Sequence, residues 1–400
     1  MKETNKNILK LAIVCIAMQD SGNGATSPAI GTIMAAMPDV PAYLVQAIAT
    51  VPSLLLALTP LLYAKLVDLG VRKRTILYWG AVTFVIGGVG PFFLHSSIWI
   101  ILLFRAITGF GCGFCMTLST DLVIDYFEGD ERNTMQGFVS AIVGISGVMF
   151  QMLGGYLAGI RWDYTFLAYF VAIIFLTIAI IFLKEPDRKA KIAAQEGITD
   201  IKQRARLTGP AYLVAFVFAL YFFFWFVIPT NGAMVLIMDG MATPAQIGGV
   251  FSLITASSFL VSVTFGIVYK KIKFNFYWIS YVLGAAGLYL MYVTHSLSMF
   301  SLGIVLFGLS LGAQVPVTIT KVTQLVPYSA GAAAIALCYA AMGIGGFVQP
   351  FIFKFFGPFA IGRPTFLLSA IAFIVLGVIM VVVNKVTPTK NVSTENVAAK

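Results

Sequence analysis

The sequence predicts an all-helical membrane protein with twelve membrane-spanning helices, arranged as two six-helix halves related by pseudo-symmetry. Hydrophobic residues make up 59% of the 400 residues and charged residues only 10%, and the mean hydropathy is +0.93. Charged residues supply about a quarter of a typical soluble domain, so a soluble globular protein is excluded. The apolar residues form long runs without the alternation that the strands of a membrane β-barrel require.

Twelve apolar segments are long enough to cross a bilayer. About 20 apolar residues are needed for one crossing, and the predicted spans lie at approximately 8–34, 43–63, 75–94, 97–121, 136–159, 164–183, 209–231, 245–268, 274–294, 297–322, 331–356 and 363–384. A charged segment separates the sixth span from the seventh. The predicted organisation is an N-terminal six-helix bundle (1–183), a central cytoplasmic loop (184–208), a C-terminal six-helix bundle (209–384) and a cytoplasmic tail (385–400).

The basic residues orient the predicted helices. With the N-terminus inside, 22 of the 26 Lys and Arg residues fall in the termini and in the loops on the same side of the membrane. Cytoplasmic loops of membrane proteins are enriched in Lys and Arg. We therefore expect a multi-pass protein of the inner (cytoplasmic) membrane with both termini in the cytoplasm. The net charge of +10 reflects this asymmetry and does not indicate a nucleic-acid partner.

The two halves share a weak internal repeat. It pairs Gly109 with Gly308, Gly113 with Gly312 and Gln151 with Gln349, at offsets of 199, 199 and 198 residues. Secondary transporters built from repeats place their binding site at the interface between the repeats. The same location is expected for a site in this chain.

Several motifs make the chain resemble the major facilitator superfamily across essentially its whole length. The turn after the second segment matches the family's loop motif at Asp68, Gly70, Arg72 and Lys73. The fourth segment carries the family's arginine followed by spaced glycines, at Arg105, Gly109, Gly111 and Gly113. The loop that follows has the family's acidic residue, arginine and glycine at Asp125, Arg132 and Gly137.

The fifth segment resembles, in part, the motif of the family's proton antiporters. Gly137, Gly154 and Gly155 are in place, whereas Phe150 and Gln151 stand where that motif has Gly-Pro. The resemblance implies a transporter that works by alternating access. More narrowly, it implies the bacterial branch that exchanges drugs or metabolites for protons.

The resemblance also implies a latch at the cytoplasmic face. Asp125 is expected to pair with Arg72, and Asp68 is expected to cap the start of the eleventh helix, because a carboxylate is favourable at a helix N-terminus. Lys73 and Arg132 belong to the same motifs and complete the predicted gating residues. Such a latch would hold the two halves together on the inside while the site faces out.

Asp20 is the most informative single residue of the sequence. Counted from Ile8 at 1.5 Å per residue, it lies about 18 Å deep, near the middle of a ~30 Å core. The polar, glycine-rich stretch from Gln19 to Pro28 indicates an interrupted helix that lines a site, and Gln19, Asp20 and Asn23 are predicted to bind substrate or proton. Burial disfavours the charged form of a carboxyl group, so alternating exposure would load and release a proton. The alternative is a structural hydrogen bond to a neighbouring helix.

Arg105 is predicted to lie about 10 Å below the outer surface, counted with the same rise per residue. The resemblance implies that it binds an anionic substrate or exchanges charge with Asp20. The structural alternative is that its long side chain reaches the interface or caps backbone carbonyls.

The C-terminal half has no charged residue predicted at mid-membrane, so polar and aromatic side chains must form its part of a cavity. The remaining predicted cavity residues are Gln151, Trp225, Asn231, Gln314 and Gln349. Lys354 and Arg363 are expected near the outer face, where basic residues anchor lipid headgroups.

Enzymatic, metal and nucleotide sites are not indicated by the sequence. The four cysteines (Cys15, Cys112, Cys115 and Cys338) all lie in apolar segments, where neither a disulfide framework nor a zinc site is expected. There is no phosphate-binding loop and no Ser-His-Asp arrangement. We expect no cofactor and no bound metal.

These observations lead to one functional expectation and two alternatives. We expect a monomeric, proton-coupled antiporter that moves a small, partly apolar organic molecule out of the cell, with protons and membrane lipids as its other partners. One alternative is an organic-anion carrier in which Arg105 and Lys354 act as counter-ions. The other is a membrane sensor that binds a ligand on a transporter fold without transporting it.

Overall fold

The computed structural model describes residues 3–183, 207–272, 275–327 and 330–387, and every regular element in these ranges is a helix. Twelve principal helices follow in chain order: α1 (Glu3–Ala17), α2 (Ala42–Asp68), α3 (Lys73–Phe93), α4 (Ile98–Tyr126), α5 (Gly129–Ile160), α6 (Phe170–Phe182), α7 (Gly209–Trp225), α8 (Pro244–Ile272), α9 (Asn275–Val293), α10 (Leu297–Gln324), α11 (Gly331–Phe353) and α12 (Pro364–Val386). In the described ranges, 11 helical segments are long and apolar enough to cross a membrane. The segment that begins with α1 completes the predicted set of twelve.

The first helix of each half is interrupted. After α1 ends at Ala17, a turn leads into a 3-10 helix (Gly22–Ala29) and a short α-helix (Ile30–Ala36). Glycine is a weak helix former and proline lacks the amide hydrogen of an α-helical bond, so Pro28 and the glycines before it favour the break. The predicted interruption of the first helix is confirmed. In the second half, α7 gives way to a π-helix (Ile228–Gly232) that contains Pro229.

Close glycine contacts show the pseudo-symmetry of the two halves. A Cβ atom placed on Gly109 of α4 would lie 2.6 Å from the Pro52 carbonyl oxygen of α2. A Cβ atom on Gly308 of α10 would lie 2.6 Å from the Ile254 carbonyl oxygen of α8. The fourth helix of each half therefore packs on the second helix of the same half through equivalent glycines.

The halves meet through α5 with α8 and through α2 with α11. We call the end of the bundle at residues 69–72 and 127–132 the basic face, and the other end the opposite face. Near the opposite face, α5 and α8 touch at Gly155 and Gly248, where a Cβ atom on Gly155 would lie 2.7 Å from the Gly248 Cα. The numerical bounds of the two bundles stay predictions, and residues 184–206 of the central loop lie outside the described ranges.

Buried apolar side chains form separate clusters within the halves. The largest cluster lies in α7–α12 and includes Tyr221, Phe307 and Phe373, while a second joins α1 to helices α3–α6 around Phe84 and Tyr169. Large apolar residues also cover the outside of the bundle, with Trp99 65% exposed. An apolar exterior of this kind suits a bilayer rather than water.

Candidate functional site

A central cavity of about 550 Å³ lies between the two halves. Its N-terminal wall is mostly polar and includes Asp20, Ser21, Asn23, Ser27, Ser53 and Gln151. Its C-terminal wall is mostly apolar and includes the aromatic residues Phe222, Trp225, Phe226 and Phe251. The two walls therefore offer different chemistry to a bound molecule.

Asp20 lies in the turn between α1 and the 3-10 helix, on the cavity wall. Among the described residues that line the cavity, Asp20 is the only one with an ionisable side chain. Its Oδ1 atom is buried and has no hydrogen-bond partner within the described chain. An unpaired buried carboxylate is unfavourable, and protonation or a cationic ligand relieves this penalty.

Arg105 of α4 is fully buried behind the break in α1 and is absent from the cavity wall. Its Nε donates to the Ile48 carbonyl oxygen (2.9 Å), and its Nη1 donates to the Tyr169 hydroxyl (2.6 Å). Its Nη2 donates to the Asn23 carbonyl oxygen (3.3 Å) and also to the Asn23 side-chain oxygen. Arg105 thus caps backbone carbonyls, as in the structural alternative. Charge exchange with Asp20 stays a prediction.

Asn23 and Gln19 flank Asp20 in different ways. Asn23 lines the cavity and, through its bonds to Arg105, ties that wall to α4. Gln19 is fully buried, donates from Nε2 to the Cys15 carbonyl oxygen at 3.2 Å, and does not line the cavity. Of the three residues predicted around the break, Asp20 and Asn23 reach the cavity.

Gln151 of the N-terminal half and Trp225 of the C-terminal half both line the cavity. Gln151 donates from Nε2 to the Thr255 hydroxyl of α8 at 3.3 Å, and its Oε1 has no partner in the described ranges. Trp225 stacks on Phe307 with ring centroids 5.6 Å apart, and its indole N–H is likewise unpartnered. A bound molecule can therefore accept a hydrogen bond from Trp225 and donate one to Gln151.

Three other predicted residues lie away from the cavity wall in this conformation. Gln314 donates from Nε2 to the Tyr281 hydroxyl at 3.2 Å, inside the C-terminal half. Gln349 is buried with both amide atoms unpartnered in the described chain. Asn231 accepts from Gln46 Nε2 (3.0 Å) and from the Gly362 amide (3.3 Å), so it joins the two halves near the opposite face. Substrate binding by these residues stays a prediction.

The basic partner of Asp125 at the basic face differs from the expected one. Lys73, the first residue of α3, donates to Asp125 Oδ2 at 2.6 Å and also bridges to Asp121. Tyr63 donates its hydroxyl to Asp121 Oδ2 at 2.5 Å. The expected Arg72–Asp125 pair is not formed, because Arg72 precedes α3 in extended conformation and is exposed.

The expected cap across the halves is also absent. Asp68 is exposed at the end of α2, and no side chain of the described residues caps the start of α11 at Ala330. The reason lies in the conformation: the contacts between the halves described above are nearer the opposite face, so the basic face is open. Arg132 is exposed, while the adjacent Glu131 pairs with Lys6 (2.9 Å) and Lys10 (3.3 Å).

Sequence reasoning missed two features of the site. One is Gln46, whose position as a lone amide in an apolar segment was a usable signal for a buried hydrogen bond. The other is the rest of the aromatic wall beside the predicted Trp225, since single aromatic residues in an apolar helix carry no sign of the face they occupy. Lys354 lies outside the cavity, with its Nζ 4.5 Å from the Tyr43 ring centroid.

A family model matches the chain in sequence, and solved structures match it in fold over more than nine-tenths of its length. The family model described as Major Facilitator Superfamily matches residues 11–271 and 214–399. A bacterial homologue of the human lysosomal transporter Spinster, in an inward-facing and occupied conformation, aligns with a TM-score of 0.78 at 16% identity over 96% of this chain and 98% of that chain. A D-xylose-proton symporter aligns with a TM-score of 0.69 at 16% identity, over 93% and 95%.

One curated relative matches a segment of the sequence. Multidrug resistance protein 3 of Bacillus subtilis (strain 168) is 32% identical over 108 residues, which are 26% of this chain. The matched segment spans only 20% of that relative's length.

Proposed function

Because the chain belongs to the major facilitator superfamily and is a membrane transporter rather than an enzyme, we propose that it exports a small amphiphilic organic molecule in exchange for protons. The observation that carries this proposal is Asp20, a carboxyl group without a partner for Oδ1 on the wall of the central cavity. Such a group binds either a proton or a cationic ligand. Competition between the two at one carboxyl couples their movements in opposite directions.

The contacts between the halves support alternating access, and the distribution of Lys and Arg supports a cytoplasmic location for the basic face. The opposite face is closed by the Gln46–Asn231 bond and by the Gly155–Gly248 contact. At the basic face, by contrast, Asp68 and Arg72 are exposed. We propose that these residues engage the C-terminal half when the protein turns outward, and that the Gln46–Asn231 bond breaks in the same step.

The two walls of the cavity favour an amphiphilic substrate. An apolar or aromatic body would pack against Phe222, Trp225 and Phe251, while a cationic or hydrogen-bonding group would face Asp20 and Gln151. The name of the Bacillus relative, a multidrug resistance protein, agrees with export of such molecules. An organic-anion carrier is less well supported, because no Lys or Arg stands among the described residues that line the cavity.

The test is proton movement in proteoliposomes that carry a pH-sensitive dye in the lumen. We expect lipophilic quaternary ammonium cations, which cannot cross the bilayer as a neutral base, to release protons from acid-loaded vesicles that contain the native protein. Asp20→Asn removes the titratable group with almost no change in volume, so it should abolish this release. The matched control is Asp39→Asn, an exposed aspartate in the loop after the first helix, which should behave as the native protein. Substrate-dependent proton release that persists in Asp20→Asn would contradict the proposal.

A further inference from the structure

A second cavity of about 790 Å³ lies between α5 and α8 at the basic face. We call it the side groove. Most of its lining is apolar, and the side chains that define it are Met135, Phe138 and Ala141 of α5 with Phe259 and Val263 of α8. Lys10 and Glu131, which pair at 3.3 Å, stand at one end. The groove therefore has apolar walls and a charged rim.

The side groove forms because α5 and α8 diverge toward the basic face. A Cβ atom on Gly155 would lie 2.7 Å from α8, one on Gly147 2.9 Å from Thr255, and one on Gly144 3.3 Å from Phe259. Gly137 lies about two helical turns from Gly144 on the side of the basic face, and a Cβ atom placed on it would have nothing within 4 Å. The glycines of α5 therefore lose their close contacts with α8 toward the basic face, and the groove lies at that end.

The groove opens onto the apolar exterior of the bundle. Phe138, Ile145, Met152 and Tyr156 form an exposed stripe along α5, at the spacing of one helix face. Phe138 belongs both to this stripe and to the groove lining. On α8, Val263 lines the groove and is 63% exposed, next to the exposed Leu260. The mouth of the groove thus lies on the surface that faces lipid.

The groove adjoins the central cavity at α8. Ser262 of α8 lines both spaces. A flexible apolar chain that enters between Phe138 and Val263 therefore reaches Ser262, on the border of the central cavity. No charged side chain stands along this route among the described lining residues, because Lys10 and Glu131 lie at the rim.

We infer that the side groove is a lateral entrance from the bilayer, occupied by an acyl chain of a phospholipid from the leaflet at the basic face. The apolar walls match the acyl chain, and the Lys10–Glu131 pair lies where a headgroup would sit, with one charge for each half of a zwitterion. The central cavity is then open to the membrane as well as to water. This inference does not depend on proton coupling, because lipid occupancy is a property of the resting protein.

The test uses tryptophan fluorescence with two quenchers that reach different environments. In a variant whose five native tryptophans are replaced by Phe, Phe259→Trp places an indole on the floor of the groove. The protein is reconstituted in phospholipids that carry bromine on their acyl chains, and iodide is added separately from the water phase. Leu260→Trp, which faces outward, and Phe251→Trp, which is buried in the central cavity wall, are the references.

We expect the brominated lipid to reduce the emission of Phe259→Trp to an extent comparable with Leu260→Trp, with little effect of iodide. Strong iodide quenching, together with lipid quenching no greater than that of Phe251→Trp, would show a water-filled groove and overturn the inference. If Phe259→Trp does not fold, Ala141→Trp reports from the α5 wall of the same groove. In either background, Gly137→Phe should fill the groove and reduce lipid quenching, while Ile145→Phe on the outer stripe should not.

Discussion

Arg105 shows how a cation can be held in a membrane protein without an acidic partner. The guanidinium is fully buried, and its hydrogen bonds go to two backbone carbonyls, one hydroxyl and one amide oxygen. The carbonyls belong to Ile48 of α2 and to Asn23 in the broken segment, where regular α-helical bonding is interrupted. Polar backbone groups at membrane depth must find a partner inside the protein. Arg105 therefore stabilises the break that places Asp20.

The first prediction concerns this stabilisation. Arg105→Gln is expected to lower the free energy of unfolding by about 3 kcal/mol, because it leaves buried carbonyl oxygens unpaired. Arg105→Lys should recover part of the loss, since an ammonium group can still reach one or two acceptors. The measurement is the thermal unfolding midpoint in detergent. Arg132→Gln, which removes an exposed arginine, should stay within about 0.5 kcal/mol of the native protein. Equal loss in both glutamine variants would contradict the assigned role.

The second prediction concerns Lys73, which neutralises Asp121 and Asp125 together. The Asp125 side chain is only 2% exposed. Lys73→Met should destabilise the protein by about 3 kcal/mol, because breaking a buried ion pair leaves an uncompensated charge. Arg72→Met removes the neighbouring, exposed cation and should have a much smaller effect. The measurement is the free energy of unfolding of both variants, obtained in parallel by chemical unfolding. A larger loss in Arg72→Met than in Lys73→Met would instead support the Arg72 pairing expected from sequence.

At the scale of the helices, local composition predicted where a helix is interrupted but did not predict which face of a helix lines the cavity. The glycines and Pro28 act on their own segment, so the interrupted first helix could be read from residues 19–28. The direction of Gln314 could not, because successive residues of an α-helix point about 100° apart and only the neighbouring helices decide which face is buried. Gln314 meets Tyr281 inside its own half instead of the cavity. The predicted helix boundaries were also inexact: the first span was predicted to begin at residue 8, whereas α1 begins at Glu3.

The third prediction concerns the contact between α5 and α8. Gly155→Val would place methyl groups against the Gly248 backbone, where a Cβ atom alone would already lie 2.7 Å from the Gly248 Cα. The helices must then separate near the opposite face, which favours the outward-open state and slows transport. Accessibility of Ser27→Cys to a membrane-impermeant thiol reagent added on the opposite side should rise. Gly159→Val, one turn along α5 and with its nearest neighbour 3.7 Å away, is the matched control. No rise in labelling beyond that control would contradict the prediction.

At the scale of the whole molecule, the two ends of the bundle are built from different interactions. The opposite face joins the halves by an amide–amide hydrogen bond and by glycine contacts. At the basic face, charged groups pair within the N-terminal half, as Lys6 and Lys10 do with Glu131. The number of helices was predictable because bilayer thickness fixes the length of each apolar run. Which end of the bundle is open was not predictable, because in the proposed alternating-access cycle one sequence must encode both states.

Asp20 is the one carboxyl group among the described residues of the cavity wall, and this limits how the proposed transport can be driven. If Asp20 is the proton carrier, each cycle returns at most one proton. Exchange for a monovalent cation is then electroneutral, so the membrane potential does no work and the pH difference alone sets the limit. One pH unit supplies about 1.4 kcal/mol, or roughly a tenfold concentration ratio of the exported molecule. A neutral substrate would instead make the cycle electrogenic, adding about 2.3 kcal/mol per 100 mV.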